Sequence, residues 1–323
     1  MNENYRKSGY LREDFRLFHN VDARKREIPF HYHDFHKLLI FLSGNVSYVI
    51  EGKQYALQPG DIVLVGAGQI HRPVIHDDSL YERLIFYISP GFFEREEELS
   101  DLDVFSKLSA GDRSEHLETA ESGTPVIRPA GESRAHTQRL FMLLKDAVSE
   151  EDAFAGRLLE KVRLLELLIG LARMMRSGDA QAGTQMSANP LILSAMDYIN
   201  VHLTDERLDI DAVANAVSLG RSYLMHLFKA QMGFTIGQYI TEKRLYMTGT
   251  LMENGVPVTQ ACERCGFKNY AAFYHAWRRK YGTSGEGKAD TGASGPAGRR
   301  RRSLAESMEA DRRNAATWQV EGE

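Results

Sequence analysis

The chain reads as a multidomain α+β protein: a small antiparallel β-barrel at the N-terminus, a helical middle, and an all-α C-terminal third. Three observations carry that reading. Residues 28–90 are short apolar runs separated by turn residues at even spacing. From Ser133 the apolar period changes from that of a strand to that of a helix. Between Asp211 and Gly282 one helical pattern occurs twice.

The strands come first. Lys37 to Leu42 run into the turn Ser43-Gly44-Asn45, and Ser47 to Ile50 run into Glu51-Gly52. Tyr55 to Leu57 lead to Pro59-Gly60-Asp61, followed by Ile62 to Val65, Arg72 to His76 and Leu84 to Ile88. This predicts a β-domain over residues 1–132, with the stretch after residue 90 as short helices and loops. Over 133–176 the helical period places Leu158, Val162, Leu165, Leu168, Ile169 and Ala172 on one stripe. Leu164, Leu167 and Leu171 widen it, so that it needs cover both from the barrel and from a second copy of the chain. Residues 177–188, rich in Gly, Ala, Ser and Gln, read as a flexible linker. Asn189-Pro190 opens a helix, with Pro where its missing N–H costs least. Residues 283–323 lack apolar period and read as a disordered tail carrying a basic run, Arg299 to Arg302.

The domain over 189–282 holds the repeat. Residues 211–233 and 258–282 each give a short helix of small residues, a turn, and a longer helix with one apolar and one basic face. Leu224, His226, Phe228, Lys229 and Gly233 recur 49 positions later as Phe273, His275, Trp277, Arg278 and Gly282. That is the layout of a helix-turn-helix, whose second helix enters a DNA major groove; two in tandem predict a reader of double-stranded DNA. Leu224, Leu227 and Phe228 anchor the first recognition helix, leaving Arg221, Ser222, Met225, His226 and Lys229 outward. Phe267, Phe273 and Trp277 anchor the second, leaving Lys268, Asn269, Tyr270, Ala271, Tyr274, His275 and Arg278 outward. Lys268, Arg278, Arg279 and Lys280 suit phosphates rather than bases. Between the copies, Thr235 caps a helix to about Met252, roughly 25 Å long, which spaces the recognition helices about one DNA turn apart.

Arg221 to Lys229 with Gly233, Tyr239-Ile240 and Arg244-Leu245 resembles the first half of an AraC/XylS-type DNA-binding domain. Cys265-Gly266-Phe267 with Phe273 to Gly282 resembles the second half. The resemblance implies that Ser222, Met225 and His226, and then Tyr270, Ala271, Tyr274 and His275, face base edges. It also implies a transcription regulator, with RNA polymerase as partner if the chain is an activator. The chain departs from the family after Gly282, where Ser284 is followed by Gly285 rather than Pro and no closing helix follows. A regulator with an impaired C-terminus is therefore one alternative.

The N-terminal strands resemble a cupin, as in many regulators of this type. His31, His33 and a later His71 resemble the cupin metal signature, but Lys37 stands where its carboxylate would be, and an ammonium repels a divalent ion. No metal and no cofactor is therefore assigned. His31, His33, Lys37, His71 and Arg72 instead suit a small-molecule effector, a sugar or an anion. A cupin metalloenzyme with a DNA-binding appendix is the alternative of a different class.

Bulk properties agree. The net charge of −4 divides into −6 over residues 1–188 (23 Lys+Arg, 29 Asp+Glu) and +2 over 189–282 (10 and 8), so the basic face is local. Two cysteines, a polar N-terminus and no apolar run near the roughly 20 residues of a membrane span predict a cytoplasmic protein with no membrane partner. Cys262 and Cys265, a lone CxxC pair, read as small packing residues rather than a zinc site. The sequence thus predicts a homodimeric, effector-responsive DNA-binding regulator and not an enzyme.

Overall fold

The computed structural model describes residues 11, 13–23, 27–94, 97–105, 124–149 and 154–281. The tail expected over 283–323, with its basic run, lies outside them. The chain divides into two compact units, with the boundary along the sequence between Asn189 and Pro190.

In the N-terminal unit the strands are β1 (Phe15–Asp22), β2 (His36–Ser43), β3 (Val46–Ile50), β4 (Lys53–Ala56), β5 (Ile62–Val65), β6 (His71–Ile75) and β7 (Tyr81–Ile88). A 3-10 turn, Pro90–Phe92, and a short helix α1 (Glu97–Ser100) follow, then β8 (Val126–Pro129), α2 (Gly131–Ser149), α3 (Gly156–Ser177), β9 (Ala180–Ala182) and β10 (Thr184–Ala188). They form two antiparallel sheets, β1-β7-β2-β5-β8-β9 and β10-β4-β3-β6. The cupin-like antiparallel class expected from the sequence is what forms, although among the described residues the two sheets do not close into a barrel. Beyond β6 the chain adds one isolated bridge, His31 with His71. Pro29, two residues before His31, has no N–H to carry the ladder further.

Burial on both faces explains the near-continuous apolar strands. Leu38, Ile40, Leu64, Leu84 and Phe86 point from the six-stranded sheet toward α2 and α3, meeting Leu140, Leu144, Leu164, Leu168 and Leu171 in one core. The alternate residues of β2, including Lys37, Leu39 and Phe41, lie on the opposite face and are also buried. The expected α3 stripe therefore splits. Leu164, Leu167, Leu168, Leu171 and Ala172 pack inside the unit, Leu165 is half-buried against the same core, and Leu158, Val162 and Ile169 are exposed.

The segment expected as a flexible linker is ordered. β9 pairs with β8 and β10 pairs with β4, so residues 180–188 add an edge strand to each sheet. The connection between them turns at Gly183, where an added Cβ would stand 2.3 Å from Val126 Cγ1.

The C-terminal unit contains α4 (Pro190–Val201), α5 (Ile210–Ala216), α6 (Arg221–Met232), α7 (Ile236–Glu253), α8 (Val258–Arg264) and α9 (Tyr270–Tyr281). Thr235 and Gln238 close a capping box at the start of α7, as the sequence predicts. Arg244, buried in α7, donates to the carbonyls of Leu203 and Asp205 at 2.8 and 2.7 Å and ties the turn after α4 to the long helix. Gly266 makes the second turn possible: it has a φ of +79°, and a Cβ would meet the Thr204 carbonyl oxygen at 2.7 Å.

Candidate nucleic-acid interface and sensor site

Each recognition helix is held by its apolar face. Leu224, Phe228 and Met232 of α6 are fully buried, and Phe228 meets Tyr239 of α7 edge-on at 5.5 Å. In α9, Phe273 and Ala276 are buried, with Phe267 and Trp277 packed against them. The two turns differ in length. Ser218 and Leu219 bond back to Asn215 and Ala214, while Gly266 and Phe267 bond back to Glu263 and Cys262. The helices before the turns are thus related by 48 positions and the recognition helices by 49, so the second turn is one residue longer. Cys262 takes the place of the small Ala214 in this register. Cys262 and Cys265 are both buried, and desolvation pushes the Cys262 thiol up to about 11. They pack rather than react.

The opposite faces are open. Arg221, Ser222, His226 and Lys229 are exposed on α6, with Met225 half-buried among them. Lys268, Asn269, Tyr270, Ala271, His275 and Arg278 are exposed at and along α9, with Tyr274 half-buried and stacked on Tyr270 at 6.2 Å. Two of these residues have local duties. Arg221 forms an ion pair with Asp211 of α5. Asn269 accepts the Ala272 N–H at 2.8 Å, which caps α9. Lys280, grouped with the phosphate contacts in the sequence, turns inward instead. It donates to Glu242 of α7 at 2.6 Å, and desolvation lowers its pKa to about 7 and raises that of Glu242 to about 7. Tyr223, 57% exposed on α6, was not singled out in the sequence because it aligns with Ala272 and carries no charge.

The sensor unit gathers four of its five expected residues. The His31 and His71 rings lie 4.3 Å apart, and the His33 and His71 rings 4.8 Å apart. Each Nδ1 faces a backbone carbonyl: His31 that of Pro29 at 2.9 Å, His33 that of Phe35 at 2.6 Å, His71 that of Gln69 at 3.0 Å. A carbonyl only accepts, so in the neutral ring each Nδ1 carries the proton and each Nε2 presents a lone pair. His33 Nε2 and His71 Nε2 are buried without a hydrogen-bond partner. Lys37 of β2 donates to the Tyr48 hydroxyl of β3 at 2.7 Å. Desolvation first, then the Lys37 charge for His33 and the neighbouring His31 for His71, hold both imidazoles well below their ordinary pKa. Burial likewise raises the Tyr48 phenol well above its own. Tyr48 escaped the sequence reading because nothing within its apolar strand marks it as Lys37's partner.

Arg72 does not join them. Along β6, His71, Pro73 and Ile75 point inward, and Arg72 and Val74 alternate to the other face. The Arg72 guanidinium stacks 4.3 Å from the Phe30 ring centroid, with Glu27 at 4.0 Å. His36, next to Lys37, also faces away: it stacks on Phe105 at 4.4 Å and accepts the Ala67 N–H. Among the described residues no group of three or more His, Cys, Asp or Glu side chains is placed to hold a metal ion, and no helix is long and apolar enough to cross a membrane. A separate cavity of about 230 Å3, lined by Gln58, Arg128, Arg134, Gln138, Phe141 and Gln181, opens where β9 meets β8 and α2 begins. Nothing in the sequence marked it.

Comparison with known proteins gives two domain matches. Residues 17–168 match the AraC-like ligand binding domain, and residues 213–285 match a helix-turn-helix domain. The chain is 26% identical over 261 residues to the HTH-type transcriptional activator RhaS of Shigella sonnei, covering 80% of this chain and 86% of that protein. It is 25% identical over 236 residues to the arabinose operon regulatory protein of Salmonella typhimurium, covering 72% and 75%.

Proposed function

Since the chain is a DNA-binding transcriptional regulator of the AraC family with an AraC-like ligand-binding domain, we propose that it reads two successive major-groove segments under control of an effector held at the histidine cluster. The observation that carries this reading is the pair of exposed recognition faces, α6 and α9, with His226 and His275 at equivalent positions. Ser222, Met225 and His226 on α6, and Tyr270, Ala271, Tyr274 and His275 on α9, read base edges. Arg221, Lys229, Lys268 and Arg278 meet phosphates, with the amide of Asn269 beside them.

The effector is a sugar or an organic anion. Two buried Nε2 acceptors without donors favour a ligand rich in hydroxyl groups, and the Lys37 ammonium favours a ligand oxygen that accepts. A divalent metal is disfavoured because that ammonium opposes its charge, so we read the chain as a regulator and not an enzyme. The exposed Leu158, Val162 and Ile169 of α3 are read as a homodimer contact. The dimer works in the cytoplasm, and contacts RNA polymerase if it activates.

Selection of binding sites from random duplex DNA by the full chain tests the reading. Enrichment of a motif with two half-sites about one helical turn apart is expected; no enrichment at low salt overturns it. A thermal-shift panel of monosaccharides and small carboxylates tests the sensor. A compound whose stabilisation is lost in Lys37→Met is expected, and stabilisation that survives that change places the effector elsewhere.

A further inference from the structure

We infer that residues 178–189 form a latch, two edge strands that zip onto the sensor sheets or release, and so set the length of the tether to the DNA-binding unit. The inference rests on the histidine cluster being the effector site and adds how its state would reach the DNA-binding unit. α3 ends at Ser177 with Gly178 in the left-handed conformation, and β10 ends at Ala188. With both strands paired, Asn189 alone separates the sensor from Pro190, the first residue of α4. With both released, the 12 residues from 178 to 189 could span up to about 40 Å. A short fixed tether and a long loose one give different reach and different effective concentrations of the DNA-binding unit.

The contacts suit reversible pairing. Thr184, Gln185, Met186 and Ser187 are exposed, so apolar burial does not fasten β10; its ladder with β4 does, and that ladder is interrupted by a register shift between Gln185 and Ser187. At the root, the Ala130 N–H donates to the Asp179 carbonyl at 2.9 Å and the Ser133 hydroxyl to the Asp179 carboxylate at 3.1 Å. In the middle, the Gly183 N–H donates to the Val126 carbonyl at 2.7 Å, an approach only glycine permits because Val126 is fully buried. Elements with few buried contacts open at lower free energy than the core.

β10 also lies in the same four-stranded sheet as His71 and Tyr48. The Ser187 hydroxyl donates to Gln54 Oε1 at 3.3 Å, and Gln54 Nε2 donates to the Ser47 hydroxyl at 2.7 Å. Ser47 is followed by Tyr48, which accepts from Lys37 and stacks 6.0 Å from His71. A ligand that shifts Lys37 or His71 thus reaches β10 through Tyr48 and Ser47 of β3 and Gln54 of β4.

Hydrogen exchange on the full chain, followed by two variants, tests this. Amides of 180–188 should exchange at least about a hundredfold faster than those of β2 and β5, in one cooperative step; exchange as slow as the core overturns the latch. Gly183→Val should expose 180–188 to protease without speeding exchange in β2 or β5. Gln54→Cys with Ser187→Cys, at a paired register position, should lock the latch on oxidation, and it keeps the test open should Gly183→Val not fold. On duplexes with two selected half-sites, the oxidised form should lose binding when about 5 base pairs are inserted between them, and the reduced form should tolerate the insertion. Equal tolerance in both forms overturns the latch. Absence of DNA binding in every form, wild type included, overturns the DNA-reading function instead, and the exchange result then decides the latch alone.

Discussion

Arg221, the first residue of the first recognition helix, is ion-paired with Asp211 of the preceding helix across the turn. Both side chains are more than half exposed, so water screens the pair and it adds little to stability. Its consequence is for DNA: the carboxylate competes with phosphate for the guanidinium. Asp211→Asn should therefore tighten binding to all duplexes and steepen the salt dependence by about one phosphate-equivalent. Titrations of both proteins at several salt concentrations check this. Equal slopes would show that Arg221 does not touch DNA.

His226 and His275 occupy equivalent, exposed positions on the two helices. Replacing either with Ala should cost about 1–3 kcal/mol at a few base pairs within one half-site, while Lys229→Ala should weaken all sequences alike. Repeating the site selection with each variant separates these effects. The same motif from wild type and both His variants would remove them from the base-reading set.

The strands and helices with a buried face were legible in the sequence, because burial imposes a period. The outward faces of α6 and α9, proposed to meet DNA, were legible for the same reason, as what remains once Leu224, Phe228 and Phe273 are set inward. β9 and β10 were not legible. They are edge strands held by backbone hydrogen bonds, and a strand such as Thr184–Ala188 with exposed side chains has no pattern to read. β8 is only four residues long and fell within the stretch read as short helices and loops, while β1 breaks its apolar run at His19-Asn20 and drew no assignment. At the sensor site, residue type led to His31, His33, Lys37 and His71, but Arg72 was grouped with them against the period of two that turns it outward.

The sensor unit should lose stability in mild acid. Burial holds His36 at about 4, down from 6.5, and holds His33 and His71 well below 6.5. The unfolded chain takes up protons near 6.5 while the folded one does not. The stability these groups support is intact above 6.5 and falls as pH drops from 6.5 toward 4, each group adding a slope of up to about 1.4 kcal/mol per pH unit. Denaturant unfolding at pH 7.5, 6 and 5 measures it. His36→Phe should flatten the fall, and identical pH profiles for variant and wild type would show that His36 is not held neutral.

The proposed dimer is tested on the face of α3 that is exposed among the described residues. Leu158 and Val162 are 62% and 47% exposed, one turn apart on α3, and Ile169 at 38% continues the same side. Leu165 lies between them but is half-buried against the unit's own core, so a charge there would damage folding and dimerisation together. Leu158→Asp with Val162→Asp avoids that ambiguity. The wild type should sediment as a dimer at micromolar concentration, and the variant as a monomer whose sensor unit melts at an unchanged temperature. A charge buried at a symmetric contact meets its own copy across the two-fold axis, so the double change should act strongly. A wild-type monomer, or a variant that remains dimeric, would show that this face packs against something other than a second copy.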